Sequence, residues 1–336
     1  MPRGPVSPPG RCRAQPVLTA YVPGPQGLAR LEGDNGAASQ DVVWFDLLEP
    51  TEAETRLVEE RLGIELPTRE EMREIEASNR FYEEGGALYM TATIVTKLDT
   101  DLPESAQVTF VLTGSRLVTN RYVDPLPFRR FIAYAERHPA VCSSGALLFA
   151  GLLESIINRI ADVIERAAYD LDGISQDVFA RRRRAERDFR RVLERVGQSG
   201  ELISKIHECL VSLGRLLAFV QQSPNHHLTQ EVRSRLRTVT RDIAALSDHS
   251  TFLGNKVTFL LEATLGMINI DQNDILKIFS FVTVFLLPPS VIAAFYGMNF
   301  QHLPWLREPW GPWAALAAMI ASSFVPYLIF KRRRWL

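Results

Sequence analysis

The chain has 336 residues, enough for two domains, and its 38 Lys+Arg against 39 Asp+Glu leave a formal net charge of −1, which gives a nucleic-acid partner no support. Cys12, Cys142 and Cys209 lie too far apart for a zinc site or a disulfide framework and fit a reducing compartment. The average charge hides an asymmetry, because the C-terminal end is largely apolar while the middle is charged.

Residues 1–16 (MPRGPVSPPGRCRAQP) lack the apolar stretch of a secretory signal, and their Pro, Gly and Arg content predicts a disordered tail. Residues 17–140 read as a mixed α/β domain. VVWFDL (42–47), ALYMTATIV (87–95), QVTFVLT (107–113) and RLVTN (116–120) are β-branched or aromatic runs separated by Asp, Gly and Pro. TGSR (113–116) predicts a hairpin turn, and PTEAETRLVEERLG and PTREEMREIE predict acidic helices between the first two runs. From about Gly145 the period becomes helical: Leu148, Leu152, Ile156, Ile160, Val163 and Ala167 share a face. A weak break is expected at Gly197-Gln198-Ser199-Gly200 and a stronger one at Ser223-Pro224-Asn225. The run Arg181–Arg184 reads as a solvated helix face.

From about Leu228 to Met298 nothing breaks the helical pattern before Pro288-Pro289, and Ile243, Leu246, Leu253, Val257, Leu260 and Met267 repeat at three-four spacing. Such a helix would be on the order of 100 Å long at 1.5 Å per residue, so it either crosses between compartments or associates with copies of itself. The helical region and stalk helix is assigned to 145–274. Two membrane spans follow, 275–296 with the single charge Lys277, and 312–330 with none. Lys331-Arg332-Arg333-Arg334 closes the second span, within a basic C-terminus of 331–336. The loop between spans, 297–311, holds only Arg307 and Glu308. The excess of positive charge puts the C-terminus and the N-terminal domain in the cytoplasm and the loop outside.

Steps of three and four along the first span give Asn273, Leu276, Ser280, Thr283, Leu287, Ser290, Ala294 and Gly297, a series small, hydroxylated or modest in bulk. Ile278, Phe281, Phe285, Ile292 and Phe295 form a bulky, lipid-compatible series opposite. Two readings of the small seam stand side by side: close helix packing, or the lining of a polar pore in a ring of identical helices. The seam carries no carboxylate, which suits Mg²⁺, an ion that keeps its waters; the Asn299 carbonyl oxygen can accept hydrogen bonds from them, and Leu276 and Leu287 can close a pore by dewetting. Asp242 falls on the same helical phase as Asn273.

Tyr296-Gly297-Met298-Asn299-Phe300 at the external end of the first of two C-terminal spans resembles the CorA family of magnesium transporters, whose signature is that Gly-Met-Asn. GMINIDQNDILKIFSFVTVFLLPPSVIAAFYGMNF (266–300) and PYLIFKRRRWL (326–336) carry the resemblance, while the N-terminal domain is similar in organisation only. The resemblance implies a homopentameric funnel: an α+β cytoplasmic domain, a long stalk helix continuous with the pore helix, and a second span, in the inner membrane with both termini cytoplasmic. It implies Gly297, Met298 and Asn299 at the outer selectivity site, with Asn273 as an inner polar ring and Thr283 and Ser290 between them. Leu276, Phe279 and Leu287 fall where the family places hydrophobic gates. Cytoplasmic Mg²⁺ held between neighbours would inhibit transport, with Asp242 and Asp99 or Asp101 as its carboxylates. One departure is Leu303-Pro304-Trp305, where the family usually has Met-Pro-Glu; the external ring of negative charge from that Glu is lost, and Glu308 beside Arg307 replaces it in part. His302, a lone loop histidine, reads as solvated.

The implied function is uptake of Mg²⁺, with Co²⁺ and Ni²⁺ as further cargo, driven by the membrane potential; a doubly charged ion moving through 100 mV releases about 4.6 kcal/mol. No organic cofactor or nucleic acid enters this reading; its partners are other copies of the chain, divalent cations and the bilayer. The alternatives are a zinc transporter of the related ZntB branch, a membrane-anchored enzyme and a non-conducting scaffold. The chain has no G-x-x-x-x-G-K-[ST], nucleophile elbow or H-E-x-x-H, and the adjacent His226-His227 pair diverges on a helix.

Overall fold

The computed structural model describes residues 17–32, 41–74, 76–100, 102–179, 188–223, 228–298 and 309–332. The predicted tail, the Arg181–Arg184 run, the end of the break at Ser223 and the His226-His227 pair lie outside them, as do Asp101 and residues 299–308. The chain forms two units, one of residues up to Ala180 with Arg190–Leu261, the other of Arg181–Phe189 with Glu262–Leu336.

The first unit is built on seven strands: β1 (Val17–Gly24), β2 (Gly27–Glu32), β3 (Trp44–Leu48), β4 (Phe81–Glu84), β5 (Ala87–Thr96), β6 (Glu104–Thr113) and β7 (Arg116–Arg121). They run in the order β2-β1-β3-β7-β6-β5-β4, and only β3 and β7 pair in parallel. Gly85 and Gly86, at φ 58° and 77°, make the two-residue β4–β5 turn that a right-twisted hairpin requires. Its helices are α1 (Glu52–Leu62), the single turn α2 (Ala77–Arg80), α3 (Leu126–Ala135), α4 (Gly145–Phe179), α5 (Phe189–Gln222) and the start of α6 (Gln230–Tyr296); α7 (Gly311–Arg332) belongs to the second unit.

Alternation along β3 feeds two cores. Phe45 and Leu47 join Leu18, Val111, Val118 and Val58 of α1 on one face. Each fully buried side chain of this size contributes about 1.5–3 kcal/mol. Thr51 and Glu54 cap α1 reciprocally, and Glu54 Oε1 also accepts from the Leu18 N–H at 2.9 Å, which fixes α1 against β1. On the other face Trp44 packs on Phe131 of α3 (6.1 Å) and Phe110 meets Phe149 of α4 edge-on (5.6 Å). Beneath them lies a buried polar network. Trp44 Nε1 donates to Thr119 Oγ1, Thr119 donates to Asp46 Oδ1, and Arg121 clamps both Asp46 oxygens at 2.9 and 2.7 Å. Arg121 also lies 4.7 Å from the Phe128 ring centroid.

β4 covers only the first residues of β5, so the far half of that strand would show an open edge. α5 closes it: the Thr93 N–H donates to Ser212 Oγ at 2.9 Å, and the Val95 N–H donates to Cys209, whose thiol burial pushes up to about 12. Helices α4, α5 and the first part of α6 pack together through opposed contacts. Arg235–Glu154 (2.6 Å) and Lys256–Asp172 (2.5 Å) make α6 parallel to α4, while Gln221–Thr240 and His207–Ser250 make α5 antiparallel to α6.

Two expectations change here. PTREEMREIE gives only a 3₁₀ turn, Glu71–Arg73, because Thr68 and Glu71 cap each other and only Met72 is buried. The Gly197–Gly200 break does not occur: α5 runs through it, and Gly200 stands where a Cβ would lie 3.2 Å from Val257 of α6, a close helix approach rather than a turn.

Candidate ion path and its carboxylates

α6 continues as a helix to Tyr296 and carries a stretch long and apolar enough to cross a membrane, none of it buried within the chain. In the second unit α7 packs against one side of it. Phe281, Phe285, Pro288, Pro289, Ile292 and Tyr296 are half-buried, a face with three-four spacing. Much of the bulky series is therefore spent on α7, while Ile278 and Phe295 stay exposed. Every member of the small seam is exposed: Asn273, Leu276, Ser280, Thr283, Leu287, Ser290, Ala294 and Gly297. Phe279 falls in the same arc, roughly 120° wide at 100° per residue, and is 66% exposed beside Leu276 at 62% and Leu287 at 60%. The small residues thus do not serve packing between α6 and α7.

The hydroxyls of the seam turn back onto their own helix. Ser280 donates to Leu276 O at 2.8 Å, Thr283 to Phe279 O at 2.9 Å and Ser290 to Leu286 O at 2.7 Å. Each proton is committed, so what faces outward is oxygen lone pairs. Lys277, the single charge of the stretch, pairs with Asp274 at 3.0 Å. Gly297 closes the last turn by donating to Ala293 O at 2.9 Å, and a Cβ on it would lie 3.2 Å from that oxygen. Met298 follows, exposed; Asn299 lies outside the described residues, as do His302, Trp305, Arg307, Glu308, Arg333 and Arg334. Pro288 and Pro289 are accommodated inside α6, and Ser323 of α7 donates to Phe285 O at 3.4 Å, a contact that sequence reading missed.

The two described carboxylates expected to hold regulatory Mg²⁺, Asp242 and Asp99, differ. Asp242 on α6 is exposed and forms no ion pair among the described residues. Asp99 is held by Arg159 Nη2 at 2.5 Å and Arg166 Nη1 at 3.1 Å. The hydrogen bond from Arg159 first, then that from Arg166, keeps its carboxyl below the usual range. A divalent ion at Asp99 would have to displace two guanidinium groups. Among the described residues no group of three or more His, Cys, Asp or Glu side chains is placed to hold a metal ion.

Known proteins with this architecture define its class. The complete CorA magnesium transporter from Methanocaldococcus jannaschii superposes over 95% of this chain and 99% of its own with a TM-score of 0.74 at 19% identity. The ZntB cytoplasmic domain from Vibrio parahaemolyticus shares the fold over 76% of this chain and 99% of its own, with a TM-score of 0.56 at 9% identity. Sequence comparison is more specific than the fold. The profile of the family described as "CorA-like Mg2+ transporter protein" matches residues 39–332. The magnesium transport protein CorA of Yersinia pseudotuberculosis is 35% identical over 320 residues, 95% of this chain and all of that one. That of Salmonella typhimurium is 34% identical over 323 residues with the same coverage, 95% and 100%. This chain belongs to the CorA-like Mg²⁺ transporter family. The relationship extends through the N-terminal unit, beyond the C-terminal stretches that carry the resemblance in the sequence.

Proposed function

We propose that this chain carries Mg²⁺ across the inner membrane, with Co²⁺ and Ni²⁺ as further cargo, along a path lined by the exposed seam of α6 from several copies, by resemblance a homopentamer. The single observation that carries this reading is the division of α6: α7 takes most of the bulky face and leaves unpartnered a stripe in which Ser280, Thr283, Ser290, Ala294 and Gly297 are interspersed with Leu276, Phe279 and Leu287. A ring of such stripes offers oxygen acceptors to the waters around a hydrated cation and no carboxylate to trap it. Asn273 forms the inner polar ring, and Thr283 and Ser290 line the middle. Leu276, Phe279 and Leu287 are the constrictions, and Gly297-Met298-Asn299 forms the outer mouth. α6 and α7 are the two spans. Lys331 and Arg332, at the end of α7, keep the C-terminus and the N-terminal unit on the cytoplasmic side. The membrane potential drives entry, and no nucleotide or organic cofactor takes part.

Cytoplasmic Mg²⁺ regulates the path from sites between copies. The free carboxylate of Asp242 supports it as a ligand. Asp99 and Asp101 complete the set, with Asp99 bound only when Arg159 and Arg166 release it. An ion gates the path only through its differential affinity for closed and open rings.

Asn299→Ala in the full chain, reconstituted in vesicles holding a Mg²⁺-sensitive dye, is expected to abolish influx with the oligomer intact. Near-normal influx through correctly assembled variant would overturn the selectivity role. Zn²⁺ influx that outruns Mg²⁺ in the same vesicles would move the chain to the ZntB reading, to which the fold likeness also points.

A further inference from the structure

Two consecutive prolines in α6 cost it two backbone donors. Pro288 removes the N–H that would answer the carbonyl of Val284, and Pro289 removes the one for Phe285. The two carbonyls are not equally placed. Val284 O can tighten to a 3₁₀ bond with the N–H of Leu287. Phe285 O cannot, because its 3₁₀ donor would be Pro288 and its α-helical donor Pro289. Within the helix only the Ser290 N–H is left to it, by a π-type bond that would take that donor from Leu286. In hydrocarbon no water can answer an unpaired carbonyl, so the donor must come from elsewhere. α7 supplies one: Ser323 Oγ reaches Phe285 O at 3.4 Å while sharing its proton with Met319 O at 3.4 Å. Ser322 donates to Met319 O at 2.7 Å, so that carbonyl already has a hydroxyl partner besides Ser323. Phe285 and both prolines lie on the α7-facing side, and Leu287 and Ser290 of the seam sit on the other side of the same turn.

We propose that Ser323 is a positioning residue for ion passage: its hydroxyl replaces the donor that the proline pair deletes at Phe285 and thereby fixes how α6 presents Leu287 and Ser290 to the path. The inference rests on the reading of the seam as pore lining. Without the hydroxyl, Phe285 O draws on the Ser290 N–H, the turn widens, and Leu287 and Ser290 rotate out of register with Thr283.

The test uses the full chain in dye-loaded vesicles, with initial Mg²⁺ influx as the readout and size-exclusion chromatography to establish assembly. Ser323→Val is expected to lower influx about three- to tenfold, and Ser323→Thr, of nearly the same shape but with the hydroxyl, to keep it within about twofold of the parent. The decisive arm is Pro289→Ala, which returns an N–H to Phe285 O. In that background Ser323→Val is expected to have no further effect, a non-additivity that a packing defect would not produce. Unchanged influx in Ser323→Val, or equal losses with and without Pro289→Ala, overturns the proposal. Leu287→Gln reports on the seam by itself. If it alters influx while Ser323→Val does not, the carbonyl argument alone has failed; if neither alters influx, the seam reading has failed with it.

Discussion

The first unit and the second solve opposite problems. In the first, the sheet is covered on both faces, and Asp46, Thr119, Arg121 and Trp44 form a polar network that Arg121 extends to Val123 O and Asp124. In the second, the α7-facing side of α6 over residues 275–296 is half-buried and the rest of that stretch is exposed, with the seam hydroxyls Ser280, Thr283 and Ser290 bonded only to their own backbone. The first unit carries the partners for most of its buried groups within the chain, Asn120 Oδ1 excepted. On the reading proposed above, the second leaves its apolar surface to lipid and its polar seam to copies of itself and to passing ions. A substitution in the first unit should therefore register as stability, and one on the seam of the second as transport.

The largest expected effect breaks the first half of that contrast. Asp46→Ala removes the buried, bidentate partner of the Arg121 guanidinium and leaves it only Asp124, 42% exposed, at 3.0 Å; the change should cost about 3–5 kcal/mol, enough to prevent recovery of folded protein or to lower its midpoint steeply in a detergent melt. A midpoint within a degree or two of the parent would mean that the network does not hold the sheet.

The second half is sharpened by Thr283→Val, which keeps shape and removes an outward-facing oxygen. Stability should stay within about 0.5 kcal/mol, as for an exposed site, while Mg²⁺ influx falls severalfold. A stability loss without a change in influx would assign Thr283 to packing.

The smallest effect is at Asp99, where the two halves of the contrast meet in one side chain. Its carboxyl is 58% exposed, so the ion pairs with Arg159 and Arg166 contribute about 0–1 kcal/mol. Because its folded pKa is lowered, that contribution is fully present above the ordinary value of about 3.9 and is lost as pH falls from there through the folded value. The melting difference between parent and Asp99→Asn should be flat from neutral pH down to the ordinary carboxylate value and vanish below it. Asp242→Asn, by contrast, should leave melting untouched and shift inhibition by internal Mg²⁺ to higher concentration. The reverse pattern would exchange their roles.

The legible parts of the chain are those where solvent alone sets the rule. Lipid tolerates few charges, so the α6 stretch and the region of α7 stand out, and β3, β5, β6 and β7 are the β-branched runs of a covered sheet. The β1–β2 hairpin went unread because VLTAYVPGPQGLARLE is broken by Pro and Gly, and β1 is stabilised by pairing with β3 rather than by its own pattern. α5 looked broken because Gly200 reads locally as a turn, whereas its reason lies on another helix. Of the candidate site, the seam was legible from spacing and its exposure was not. Asp99 read as a free loop carboxylate because the arginines that engage it lie 60 and 67 residues away.

The cover that α5 places on β5 has a consequence for the making of the protein. The amide of Thr93 waits for a hydroxyl 119 residues further along the chain. At roughly 5–20 residues per second, a ribosome needs on the order of 6 to 24 s to supply it. Through that interval the nascent chain exposes an unsealed strand edge, so the hazard for this protein on the polysome is neighbour-to-neighbour strand capture. It ends when α5 emerges, before the apolar stretch of α6 has been translated.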